Sequence, residues 1–426
     1  MAIRKIINLF KSRALKQGVI VLIEQGLISL VTFVAGVLMA RSSSQEEYAI
    51  YMLGWTVLFS IKGIHEALVN LPFTVYSPRL KENMFREYQG STLIHSILFC
   101  LVCALSVFVG GYFYERYVPQ SNLRLVELAP LLMFLLSSYV LRDFLRNALL
   151  AQLKAIESVR INGVSSLALF LMMVVFYYTG YLNPEHAYIV FASMFSMAAL
   201  AMFWQYRHNY KINSGLLWPH FKGNWQLAKW ALLGNFAFIG ARQSYPWLIL
   251  QFLDYKSVAA YYACLSLAMA PGPILRGTVA YIFPRMSHGY SEGSISNLTR
   301  LLYKSILLLC IPYMLWLLVG IIFDDKILSL FYANKFDEYG FLFIMLLVAM
   351  TIDFVSAPLT NALQVLEMTR AITVSLIIGA CVTLVLGALL TWKYGLYGSG
   401  VAAIISMGMT IAWRVIVYWR SMNTLS

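Results

Sequence analysis

Apolar residues run through this chain in blocks of about 20, the length that crosses a roughly 30 Å hydrocarbon core as a helix. Short stretches between the blocks hold most of the charge. The pattern predicts spanning helices at 17–40, 48–69, 92–113, 125–147, 160–181, 186–206, 226–250, 258–283, 301–323, 340–363, 368–391 and 396–419. Ahead of them lies a basic arm, residues 1–16. Ile3, Ile6, Ile7 and Phe10 fall near helical spacing in it, as in an amphipathic helix resting on an anionic leaflet. No other stretch is long enough to fold as a separate soluble domain.

The pattern repeats at low resolution. A shift of 214 sets Tyr48-Ala49 on Tyr262-Ala263 and Lys62-Gly63 on Arg276-Gly277. With eight residues skipped, Pro78-Arg79 then falls on Pro284-Arg285. A shift of 210 sets Asp143-Phe144, Leu149, Glu157 and Arg160 on Asp353-Phe354, Leu359, Glu367 and Arg370. Six spans per copy give both copies the same polarity, related by an axis along the membrane normal. The expected fold is therefore an all-α integral membrane protein of about 12 transmembrane helices in two like-oriented six-helix bundles, 17–213 and 214–426.

Composition agrees: 60% of the 426 residues are hydrophobic and 12% charged, where soluble domains carry about a quarter charged. The net charge of +13 would suit nucleic acid, but its distribution points elsewhere. Of 32 Lys and Arg, 22 fall on the side of the two termini or at the helix ends facing it. Seven fall on the other side: Arg41, Arg116, Arg124, Lys256, Lys326, Lys335 and Lys393. Three more, Lys62, Arg242 and Arg276, lie within spans. The positive-inside rule then puts both termini in the cytoplasm and leaves no need for a nucleic-acid partner.

Ionisable groups inside a bilayer cost about 2.5–3.5 kcal/mol each on insertion scales, so they mark cavities or helix pairs. Lys62 and Arg276 lie at matching depths of spans 2 and 8. Glu24 of span 1 lies as deep as Lys62, and His65 and Glu66 follow Lys62 at helical spacing. Two readings stand: a water-filled cationic cavity built around Lys62, Arg242 and Arg276, or structural pairs such as Glu24–Lys62 and Lys62–Glu66. Arg142, Asp143 and Arg146 close span 4 near the inner interface, where anchoring of the helix end is the plainer expectation. Asp353 is nearly central in span 10 without a basic neighbour in its helix. It suits uptake of H⁺ or Na⁺ as a coupling ion, or a hydrogen bond made while protonated. Pro271-Gly272-Pro273 should break span 8 above Arg276.

Catalytic and metal signatures are absent from the sequence: it has no phosphate-binding Gly-rich Lys loop, no His/Glu zinc pattern and no nucleophile elbow. The five cysteines sit in apolar segments, and the spacing of Cys100 and Cys103 lacks a second pair or a nearby His. No enzyme, metal or cofactor is expected.

Four features carry a family resemblance: the basic arm, the Ala40-Arg41…Glu47-Tyr48-Ala49-Ile50-Tyr51 turn, the Pro72-Phe73…Pro78-Arg79 loop, and the Glu157/Arg160 and Glu367/Arg370 loops. Through them the chain resembles Wzx-type flippases, the polysaccharide-transport branch of the multidrug/oligosaccharidyl-lipid/polysaccharide exporter superfamily. The loop after span 2 lacks the Gly-x-x-x-Asp-Arg-x-Gly-Arg pattern of the major facilitator group. The resemblance implies a MATE-like fold in the bacterial inner (cytoplasmic) membrane. It also implies a polyprenyl-pyrophosphate-linked oligosaccharide as substrate, membrane lipids and other polysaccharide-assembly proteins as partners, and ion-gradient coupling. Its site would hold the pyrophosphate on Lys62, Arg242, Arg276, Arg142 and Arg146, with Glu24, Glu66, Asp143 and Asp353 as cavity or coupling carboxylates. The competing expectation is a cation-coupled drug or metabolite antiporter of the same superfamily, which calls for an acidic cavity. A non-transporting scaffold is disfavoured by the charged spans.

Overall fold

The computed structural model describes residues 13–117, 124–152, 154–275, 282, 286 and 295–425. Most of the basic arm, Arg276 and Pro284-Arg285 lie outside the described residues. The regular elements among them are all helical. They are α1 (Arg13–Ser42), α2 (Gln45–His65), α3 (Leu71–Tyr76), α4 (Glu82–Tyr117), α5 (Ala129–Ala151), α6 (Ala155–Tyr178), α7 (Pro184–Tyr206), α8 (Ser214–Phe238), α9 (Tyr245–Phe252), α10 (Tyr255–Ala268), α11 (Ile295–Tyr332), α12 (Gly340–Val365), α13 (Thr369–Val382) and α14 (Ala388–Leu425).

Helix ends follow from local chemistry. Ser44 and Glu47 form a capping box at the start of α2: Glu47 N donates to Ser44 Oγ at 3.2 Å and Ser44 N to Glu47 Oε2 at 3.1 Å. Asn183 and Asp254 cap α7 and α10 by accepting from His186 N at 2.8 Å and Ser257 N at 2.7 Å. Gly395, at φ +63°, interrupts α14 and so separates the last two expected spans. The break expected at Pro271-Gly272-Pro273 is present, for α10 ends at Ala268. Two carbonyls at this break find side-chain donors: Tyr313 Oη on Pro271 O at 2.9 Å and Trp316 Nε1 on Leu267 O at 3.2 Å.

Among the described residues, seven helical stretches are long and apolar enough to cross a membrane. The remaining expected spans fall on α2–α3, α5, α8–α9 and α10, which carry Lys62, the Arg142-Asp143-Arg146 group, Arg242 and the proline break. Two of these runs contain π turns. Glu66–Asn70 joins α2 to α3 just before Pro72, and Ile239–Gln243 joins α8 to α9 just before Pro246. A proline has no N–H to give and its ring crowds the carbonyl four residues back. A wider turn relieves that crowding, and in the first run Leu71 N–H reaches Glu66 O. Both π turns sit at charged clusters.

The chain divides into two compact units, Met1–Asn235 and Phe236–Ser426. In the first, α1 packs on α6, and α5 packs on α4 and α7. The first half of α8 and the segment before it dock on α4: Tyr88 Oη donates to Asn224 Oδ1 at 2.7 Å, His220 Nδ1 and Ser91 Oγ share a bond at 2.8 Å, and Lys211 Nζ, ahead of the helix, reaches Glu87 at 2.6 Å. Phe73, Tyr88, Phe144, Ala148 and Met202 form an apolar core in this unit. In the second unit α12 packs on α11 and α14, and α13 on α14. Leu298, Leu302, Leu359, Leu363 and Tyr418 share a core there. Exposed rows such as Leu101, Leu105 and Phe108 on α4 and Leu307, Ile311 and Leu318 on α11 suit contact with lipid tails.

Candidate functional site

In the first unit, α1, α2 with the π turn after it, and α5 bring six charged side chains together. Lys62 of α2 lies 3.3 Å from Asp143 of α5 and 4.0 Å from Glu66. Asn70, one turn beyond Glu66, donates from Nδ2 to Glu66 at 2.8 Å and to Asp143 at 3.2 Å. The π turn sets this geometry, since Glu66 and Asn70 are its first and last residues. His65 does not join them on the same face. It is fully buried, and its Nε2 meets Ser96 Oγ of α4 at 3.0 Å.

Glu24 takes a partner other than the one expected. The sequence offered Lys62; the structure supplies Arg146, whose Nε and Nη2 donate to the two carboxylate oxygens at 3.1 and 3.2 Å. Ser158 Oγ of α6 adds a third bond at 3.2 Å. The pairing follows from helix packing, because α1 lies on α6 and Arg146 points toward that seam. Arg142 is also buried: Nε donates to Asn162 Oδ1 at 2.8 Å, and its guanidinium lies 4.6 Å from the Phe195 ring centre. Arg142 and Arg146 therefore do not anchor the helix end at an interface, as their place near the end of span 4 suggested. As residues only 4% and 7% exposed, they are internal parts of the bundle. Three cations (Lys62, Arg142, Arg146) face three carboxylates (Glu24, Glu66, Asp143), so this cluster is formally neutral.

The second unit is different. Arg242, in the π turn after α8, holds Asp353 of α12 with both terminal nitrogens, Nη1 to Oδ2 at 2.9 Å and Nη2 to Oδ1. Asp353 is thus not the lone central carboxylate its own helix suggested. Arg414 of α14 is buried and donates to hydroxyls, Nε to Ser375 Oγ and Nη1 to Thr360 Oγ1, both at 2.9 Å. Among the described residues no carboxylate lies within ion-pair distance of it. Beside the pair, Thr383, the first residue of a further π turn (Thr383–Gly387), meets Ala241 O at 3.1 Å, Tyr245 Oη at 3.2 Å and Ser406 Oγ at 3.1 Å through its Oγ1, which ties that turn and Ile239–Gln243 to α14. Two guanidiniums stand against one carboxylate, a surplus of one positive charge.

Reading the sequence alone missed Arg414, Asn70, Asn162 and Ser158. Arg414 lay within the expected span 396–419 but was grouped with the cations of the carboxyl end. Asn70 follows Glu66 by four residues, a spacing that could have flagged it. Asp143 and Asp353, matched by the 210-residue shift, each meet a cation from another span of their own unit. Arg276 lies outside the described residues. Among the described residues, no group of three or more His, Cys, Asp or Glu could hold a metal ion, and the five cysteines are free thiols.

No family model and no curated protein matches the chain by sequence. Solved structures do match in fold. A multidrug resistance MATE family transporter of the MOP superfamily, in its inward-facing conformation, aligns over 93% of this chain and 95% of its own at TM-score 0.78 and 14% identity. An outward-facing structure of a transporter with the same description aligns over 97% and 96% at TM-score 0.68 and 13% identity. A MOP superfamily transporter from Pyrococcus furiosus, described as having a binding pocket of reverse polarity that suggests a different function, aligns over 95% of each chain at TM-score 0.61 and 11% identity.

Proposed function

Starting from the MATE fold of the MOP superfamily, we propose that this chain is a flippase. Its cargo is a polyprenyl-pyrophosphate-linked oligosaccharide, an O-antigen, capsule or exopolysaccharide repeat unit, moved from the inner to the outer leaflet of a bacterial inner membrane by alternating access. The observation that carries the reading is the positive surplus of the second cluster, Arg242 and Arg414 against Asp353. A buried net cation is costly unless an anion completes it. Pyrophosphate supplies that charge and accepts the parallel N–H bonds that a guanidinium offers.

In this reading Lys62 of the first unit and Arg242 of the second, both partly exposed, are each a cation that can exchange its carboxylate partner for a phosphate oxygen. Arg276 joins them on sequence grounds. Arg142 and Arg146 hold the α5 wall rigid around Lys62. Asp143, Asp353 and Glu66 receive the cations back after release, and H⁺ or Na⁺ drives the cycle through them. Both termini lie in the cytoplasm, and the lipid tail stays in the bilayer throughout. Other polysaccharide-assembly proteins supply the loaded lipid.

Deleting the gene and extracting the polyprenyl-linked oligosaccharides tests the proposal. Accumulated repeat units with loss of surface polysaccharide are expected, and Lys62→Ala, Arg242→Ala and Arg276→Ala should each fail to complement. An unchanged lipid pool with new sensitivity to cationic drugs would instead support a cation-coupled drug or metabolite antiporter. One observation favours that second reading: the Glu66 side chain is 46% exposed, an acidic group open to a cationic ligand.

A further inference from the structure

Phe59 lies on the face of α2 that also carries Glu66. Seven residues bring a helix round to nearly the same direction, two turns along. Glu66 is a carboxylate whose side chain is 46% exposed, and an ionised group in a membrane-spanning helix faces water or a polar cavity rather than lipid tails. Phe59, 45% exposed, points in nearly that direction.

The ring is also not isolated. Trp55, one turn before Phe59, lies 5.3 Å away centre to centre, and Tyr139 of α5 lies 6.5 Å away at 74°. Behind them Tyr139 stacks on Phe195 at 5.3 Å, and Trp55 meets Phe191 edge-on at 4.9 Å. Trp55, Phe191 and Phe195 are buried, so the wall is braced from behind and presents Phe59 and the half-buried Tyr139. Lys62 stands beside this wall, its ammonium 5.4 Å from the Tyr139 ring centre. A rigid aromatic surface thus adjoins a cation on one helix face.

We propose that Phe59 and Tyr139, whose rings meet at 74°, form a corner-shaped platform for a pyranose ring that stacks on one ring and meets the other at its edge, the sugar joined directly to the phosphate that Lys62 binds; this rests on the proposed transport of pyrophosphate-linked glycans. A phosphate on the Lys62 ammonium places the glycosidic carbon within one ring's width of Tyr139. A pyranose with equatorial substituents turns its C–H face to one aromatic ring, leaving its hydroxyls in the polar space. The class recognised is a gluco-configured hexose or N-acetylhexosamine 1-pyrophosphate. An axial substituent on the stacking face would hold the ring off the wall.

Titration calorimetry on the full chain in lipid nanodiscs tests this with two probes: citronellyl pyrophosphate, and the same compound bearing one N-acetylglucosamine. The wild type should bind the glycosylated probe about tenfold more tightly, about 1.4 kcal/mol. In Phe59→Leu and Tyr139→Leu the ratio of the two affinities should fall to about one, whereas Phe59→Trp should keep it. Lys62→Gln should weaken both probes by a similar factor. Equal binding of the two probes by the wild type, or a retained ratio in both Leu variants, overturns the platform and leaves the anion site standing. If the wild type binds neither probe, the anion reading and the platform both fall.

Discussion

Arg242 and Asp353, 111 positions apart, meet as a two-pronged fork in which each terminal nitrogen of the guanidinium serves one carboxylate oxygen. The fork closes the gap between the π turn after α8 and the middle of α12. It also occupies the donor face that a phosphate would use, so ligand binding and the internal pair compete for the same nitrogens.

Removing one partner strands the other. Arg242→Met or Asp353→Leu alone should each cost about 1–3 kcal/mol, more than Lys62→Gln because both prongs of a bidentate pair are lost, and the double variant should recover most of that loss, since an apolar pair of similar volume replaces a partly buried ion pair. Thermal unfolding in detergent reads the difference. The double variant should nevertheless fail to export glycan; export at the wild-type level would remove Arg242 from the binding site.

Glu24 and Arg146 make a more deeply buried pair, with side chains 1% and 8% exposed, than Lys62 and Asp143, at 24% and 14%. Glu24→Gln should therefore destabilise by about 3–5 kcal/mol. Lys62→Gln, at a partly solvated site, should cost about 1 kcal/mol or less. The folded yield after membrane extraction should fall sharply for the first and little for the second. The reverse order would mean that Lys62 is the structural residue.

The charge surplus makes its own prediction. Arg414→Gln keeps donors for Ser375 or Thr360 while removing the unmatched charge, so pyrophosphate affinity should fall about three- to tenfold with little loss of folded protein. Arg414→Lys should retain more of the affinity than Arg414→Gln. Equal affinity for wild type and Arg414→Gln would show that the surplus does not reach the ligand.

Gly54 allows a close helix approach. A Cβ there would overlap Tyr188 Oη and lie 2.9 Å from Leu132 Cδ2, while Tyr188 Oη donates to Tyr51 O at 2.7 Å. Gly54→Ala should destabilise by about 1–3 kcal/mol through overpacking. Tyr188→Phe in the same chain should relieve part of the strain, a coupling that a double-mutant cycle on unfolding measures.

Helical spans were legible in the sequence because apolar length is itself the signal that a bilayer imposes. The break after Ala268 was legible because proline chemistry is local. Partner choice was not. Glu24 has the depth of Lys62 yet binds Arg146, since which cation meets a carboxylate depends on the rotation of each helix and on which helices pack together. Arg142 and Arg146 looked like interface anchors because they stand near the end of an apolar run. Their burial follows from the helices packed around them, with Asn162 and Phe195 as partners of Arg142 and Glu24 as the partner of Arg146. The π turns were invisible for the same reason: Pro72 and Pro246 announce a disturbance but not whether the helix kinks or widens.

A widened turn is, in genetic terms, a single inserted codon that the helix has kept. Between Glu66 and Asn70 the chain holds one residue more than an α-helical path needs. Deleting Ala67 would let α2 run into α3 without the bulge, leaving the helix on either side facing as before and resetting only the turn itself. Glu66 and Asn70 would then no longer converge on Asp143, although every one of those side chains would still be encoded. At this position the length of the gene carries information that its spelling does not.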